Sequence, residues 1–287
     1  MASLLFACYP ASIFFAVGRI APSSLTILLL CLIFLVVLRI PESPRPGLAV
    51  FGGFLMGLLV LTSSKPLSLF LVIPLWLLLV AKRQRVRMIM VSLIFIGSAM
   101  LVVVPWAVRN SIVLGQASLS KSTVGVELRV GNNPGATGYN HHMPRGVRFD
   151  PGDPHLQMAI SWIVHNKRDF VILTLKRIKY FWYRIPRVGG KGDLLNTWVF
   201  MTVLGLAMLG AFWSGEMIER VGLLLLYFAI FPILFYVTHV AFYRHRFHIE
   251  PFILILASHG LHRLWTMFLN RKTKNTIAEQ KIRQYVT

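Results

Sequence analysis

Apolar stretches of roughly 16–20 residues recur along the chain, cut from one another by charged residues, prolines and glycines, and each is close to the ~20 residues a helix needs to cross hydrocarbon. In a bilayer the backbone must satisfy its own hydrogen bonds. These runs are continuous rather than alternating, so they are helices and not barrel strands. With 56% of its 287 residues hydrophobic and only 14% charged, the chain is too apolar for a soluble domain. The expected fold class is all-α, a polytopic transmembrane helix bundle.

Boundaries at charges, prolines and glycines place spans near 2–18, 24–39, 47–63, 66–81, 88–106, 194–213, 221–240 and 251–269, about eight by the length rule. The chain divides into an N-terminal bundle of about five spans (1–106), a large loop (107–193), about three C-terminal spans (194–270) and a basic tail (271–287), with short spans accommodated by tilt or re-entry. The amino terminus lacks the basic stretch of a signal peptide and reads as a span. Cys8 and Cys31 lie inside apolar runs, where a thiol is a small hydrophobe and no disulfide framework is implied.

Orientation follows from the short basic segments. Lys82, Arg83, Arg85 and Arg87, and the tail residues Arg271, Lys272, Lys274, Lys281 and Arg283, read as cytoplasmic. Both termini then lie inside, and 18–23, 62–66, 107–193 and 243–250 lie outside. The net charge of +20 is spread between apolar runs instead of forming one basic domain. It reports topology and contact with lipid headgroups, and nucleic acid is not an expected partner.

In the large loop, Gly131-Asn132-Asn133-Pro134-Gly135 and Asp150-Pro151-Gly152-Asp153-Pro154 are turn chemistry. From His155 to Arg184 apolar Trp162, Phe170, Leu173, Ile178 and Phe181 alternate with Lys167, Arg168, Lys176, Arg177 and Lys179. That texture predicts amphipathic helices at the headgroup level, and Tyr180-Phe181-Trp182-Tyr183 suits the interface.

Parity puts Lys65, Arg109, Arg244 and Arg246 on one side of the membrane. Arginine is a planar fork and lysine a point charge, so such cations could clamp a lipid phosphate or diphosphate; equally, each could snorkel to headgroups alone. Asn132, Asn133, His245 and His248 are candidates for contact with a substrate. His245 and His248 have i, i+3 spacing but no third ligand, so no metal site is assigned. Among the outer acids Glu127, Asp150, Asp153, Asp169, Asp193 and Glu250, none is marked by spacing as a general base. Asp150 and Asp153 fit turns, and Glu250 fits the positive start of the last helix. No phosphate-binding glycine loop, serine elbow or zinc-helix signature occurs.

The order of Gly52-Gly53-Phe54-Leu55-Met56-Gly57, Lys65-Pro66, Pro105-Trp106-Ala107-Val108-Arg109-Asn110, Gly131-Asn132-Asn133-Pro134, the amphipathic 159–182 stretch and Tyr243-Arg244-His245-Arg246-Phe247 with Pro251 resembles the bacterial GT-C membrane glycosyltransferases related to protein O-mannosyltransferases and aminoarabinose transferases. The resemblance runs from about the first span to the last. It implies an inner-membrane enzyme that moves a sugar from a polyprenyl-phosphate carrier to an acceptor on the outer face, with inversion and often with a divalent cation. Relatives carry a further leading span and an acidic first loop supplying the catalytic carboxylate; here Arg19-Ile20-Ala21-Pro22-Ser23-Ser24 and Ser63-Ser64-Lys65-Pro66 stand where they commonly have a Glu and a Thr-Arg-Pro. The expectation is therefore the carboxy-terminal portion of such an enzyme, a truncated frame or a degenerate relative. A non-catalytic transporter, flippase or assembly partner for envelope polysaccharide is the alternative, although the spans hold almost no ionisable residue to mark a transport path.

Overall fold

The structure, a computed structural model, describes residues 2–10, 12–13, 22–63, 65–81, 84–114, 124–138, 154–183, 191–215, 218–238 and 245–286. Among these, every regular element is helical: α1 (Ala2–Cys8), α2 (Ser23–Arg39), α3 (Pro46–Thr62), a 3-10 turn (Lys65–Ser68), α4 (Leu69–Val80), α5 (Arg85–Leu114), α6 (Val124–Gly131), α7 (His155–His165), α8 (Lys167–Trp182), α9 (Lys191–Phe212), α10 (Ile218–Ile230), α11 (Ile233–Val237) and α12 (Glu250–Val286). The expected first span is helical over Ala2–Cys8, and 14–21 lie outside the described residues, as do Lys82 and Arg83.

Three of the helical stretches, Arg85–Val113, Glu219–Val237 and Glu250–Arg271, are long and apolar enough to cross a membrane. Ser23–Arg39, Pro46–Thr62, Lys65–Val80 and Asn196–Phe212 are apolar but shorter. The surface agrees with that composition. Phe212, Leu101 and Ile112 are 81%, 78% and 77% exposed, a display of apolar bulk that a water-facing surface does not sustain. The outside of the bundle is that of a membrane protein.

Two helix boundaries differ from the sequence expectation. Proline removes only one donor from a helix, and α5 runs through Pro105 to Leu114 instead of ending near 106. Conversely, the 221–240 stretch is interrupted after Ile230, where Pro232 caps the short α11.

Glycine brings the helices together. A Cβ at Gly53 would overlap the Phe95 carbonyl, and one at Gly57 would press on Val102 and the Ala99 carbonyl, so this Gly-x-x-x-Gly row lets α3 lie directly on α5. The two rows advance together, which makes α3 and α5 parallel. The same holds for α9 and α12, where Gly210 sits against the Leu256 carbonyl and Gly260 against that of Leu206. Between these pairs lies one core, with Leu30, Ile33, Met56, Leu59, Phe95, Tyr227 and Phe252 buried together.

Helix directions define two ends. Phe34 stacks on Phe252 at 4.2 Å and Ile27 clusters with Phe247, so the start of α2 lies beside the start of α12. The antiparallel return through α3 brings the 3-10 turn, and the parallel α5 its Arg109, to that same end, here the Arg246 end. The opposite, Arg220 end carries the joint of α2 and α3, the starts of α5 and α10, and Arg271.

Candidate functional site

The Arg246 end is organised by α8. Leu173, Arg177 and Phe181 form its buried face, spaced four apart so that all three fall on one helical stripe. Arg177 is completely buried. Its Nη1 donates to the Tyr236 and Val237 carbonyls at 3.0 and 2.9 Å, and its Nη2 to the Gly131 carbonyl at 2.5 Å and Asn132 Oδ1 at 3.2 Å. Burial pushes this guanidinium down to about 10. It is charged at neutral pH, and the ring of oxygens is what makes that charge tolerable.

Asn132 completes the knot. Its amide donates to the Leu128 carbonyl at 2.8 Å and the Val237 carbonyl at 2.9 Å. Asn133 donates to the Arg129 and Val130 carbonyls and accepts from the Gly135 amide at 3.0 Å. The turn leaves through Gly138, whose φ of +91° suits glycine alone. Trp182 Nε1 adds a bond to the Tyr236 hydroxyl at 2.6 Å. Together these bonds fasten α6, α8 and α11 into one unit.

One turn further along α8, the Phe181 carbonyl accepts from Arg246 Nη1 at 3.3 Å. Arg246 Nε donates to Glu250 Oε1 at 2.8 Å, and both side chains are nearly inaccessible, at 4% and 1% exposure. The guanidinium lies 3.4 Å from the Phe200 ring centroid, a cation–π contact strengthened by the absence of water. Tyr9 stands beside the carboxylate. His245 stacks on Phe235 at 4.1 Å and His248 tilts against Phe231 at 5.9 Å.

The other candidates sit at the rim. Lys65 is half-buried in the 3-10 turn. Carrying the α3–α5 register past the end of α3 sets it level with 107–110. Arg109 is exposed there, 5.0 Å over Trp106 and 3.3 Å from Asn110 Oδ1. Lys65, Arg109 and Arg246 thus share one end of the bundle. Arg244, Asp150 and Asp153 lie outside the described residues.

Sequence reasoning placed Arg177 among cations of a headgroup helix and missed its burial. The signal was available: Arg177 occupies the stripe of Leu173 and Phe181, while Lys176 and Lys179 do not. The pairing of Arg246 with Glu250 was likewise implicit in their i, i+4 spacing. No three His, Cys, Asp or Glu side chains among the described residues gather to hold a metal ion. Compared with protein-family models, curated proteins and solved structures, the chain finds no match.

Proposed function

We propose that this chain is a GT-C-type membrane glycosyltransferase, or the carrier-binding portion of one, that holds a polyprenyl-phosphate-linked sugar at the Arg246 end. The observation that carries this reading is the convergence of Lys65 and Arg109 on the end where α8 is docked. Lys65 and Arg109, with Arg244, take the carrier phosphate. Arg246, already paired with Glu250, holds the start of α12 in place at the same end. Asn132 and Asn133 fix the loop through backbone bonds, and His245 and His248 pack on the rings of Phe235 and Phe231.

The fuller architecture belongs to the same proposal. About eight spans cross a bacterial inner membrane, both termini are cytoplasmic, and α7 and α8 lie at the outer interface. Exposed Val171, Leu175 and Ile178 on α8, interleaved with lysines and arginines, support that placement. Glu250 has a structural role in this reading, its carboxylate held by Arg246 and Tyr9.

Binding of a polyprenyl phosphate to the purified chain in vesicles tests the reading. A Lys65→Ala, Arg109→Ala variant should bind roughly ten- to hundredfold more weakly, the loss of one or two charge-assisted hydrogen bonds. Unchanged affinity in a folded variant would remove the carrier site. Intact binding with no sugar transfer under any donor would favour a non-catalytic assembly partner.

A further inference from the structure

A second feature lies at the Arg220 end, away from the residues assigned above. A cavity of about 600 Å³ opens between α2, α10 and α12, with Leu38, Leu224 and Ile255 on its apolar wall and Arg220, His259 and His262 among its polar groups. Its size is within the roughly 300–1,000 Å³ of small-molecule sites. Ile255 is 44% exposed, so the wall continues onto the apolar outside of the bundle.

The hydrogen-bonding capacity of the cavity is unevenly committed. Ser214 and Ser258 spend their hydroxyls on the Gly210 and Ile255 carbonyls of their own helices. His259 Nε2 has no hydrogen-bond partner. Arg220 meets Glu42 through one Nη2 bond at 2.6 Å, in a pair whose side chains are 61% and 59% exposed. A guanidinium fork and two imidazoles at the edge of an apolar, laterally open cleft match a phosphodiester attached to acyl chains.

We propose that this cavity is a binding site for an anionic phospholipid, with Arg220 and His262 on the headgroup phosphate, His259 deeper beside the glycerol, and the acyl chain along Leu38, Leu224 and Ile255. Glu42 competes with the phosphate for Arg220. An anionic headgroup can replace Glu42 as the counter-charge of Arg220, whereas an uncharged or zwitterionic lipid brings no net charge to do so, which gives the site its selectivity.

Native mass spectrometry of the full chain, titrated with phosphatidylglycerol or phosphatidylcholine, tests this. The wild type should retain phosphatidylglycerol about tenfold better, and an Arg220→Gln, His262→Gln variant should lose that preference. Glu42→Gln, at an exposed position that does not endanger folding, should raise phosphatidylglycerol retention severalfold by releasing Arg220. Equal retention of the two lipids by the wild type, a preference that survives the double variant, or no gain in Glu42→Gln would each overturn the proposal. Displacement of the lipid by millimolar inorganic phosphate alone would overturn it too, by showing a site for the free anion.

Discussion

Two Arg–Glu pairs of nearly the same length have opposite settings. Arg246–Glu250 is 2.8 Å and sealed from solvent, whereas Arg220–Glu42 is 2.6 Å with both side chains more than half exposed. Contact distance does not separate them; desolvation does. Two charges removed from water depend on each other, and taking one away strands its partner in a medium that cannot solvate it. Two charges in water lose little when parted. The Arg246 end is therefore a fixed framework, and the Arg220 end holds cations able to exchange partners.

The sharpest break in that comparison is Arg177→Met. It removes the donors that serve the Gly131 and Tyr236 carbonyls and Asn132 Oδ1, while the Val237 carbonyl keeps the Asn132 amide, and it should cost about 5 kcal/mol, since buried acceptors left without donors each cost about 1–3 kcal/mol. Thermal unfolding in detergent would register it, and a melting point within a degree or two of wild type would mean that α8 is not the fastening element.

Glu250→Ala comes next, at about 3–4 kcal/mol, because it takes the counter-charge away from the buried Arg246 guanidinium. The double replacement Arg246→Met, Glu250→Leu should lie closer to wild type than Glu250→Ala does. If instead the double change is the worse of the two, the pair contributes net stability beyond mutual neutralisation. The smallest effect is expected for Glu42→Gln, under about 1 kcal/mol and reduced further by salt. A loss comparable to that of Glu250→Ala would erase the distinction between the two ends.

Much of the helical framework was legible because apolar runs report it directly. The apolar runs near 24–39, 47–63 and 66–81 coincide as helices with α2, α3 and the turn-plus-α4 unit to within a residue or two, since charges and prolines punctuate them. Pro105 misled for a physical reason: a single missing donor does not end a helix whose neighbouring turns are held by the α3 seam. Arg177 was obscured by its company, because composition groups it with Lys176 and Lys179 while helical phase separates it. The distinction between a cation that faces lipid headgroups and one enclosed by carbonyls depends on α6 and α11, whose contact partners are distant in sequence. Asn132 shows the same limit, read as loop chemistry and found bonded to the Val237 carbonyl.

In the proposed arrangement the two ends face opposite sides of one membrane. Single cysteines at Lys65, Arg109 and Arg220, placed in a Cys8→Ser, Cys31→Ser background, can be labelled in intact cells with a membrane-impermeant maleimide. Cysteines at 65 and 109 should label from outside and the one at 220 only after permeabilisation; labelling of all three from the same side would contradict the arrangement.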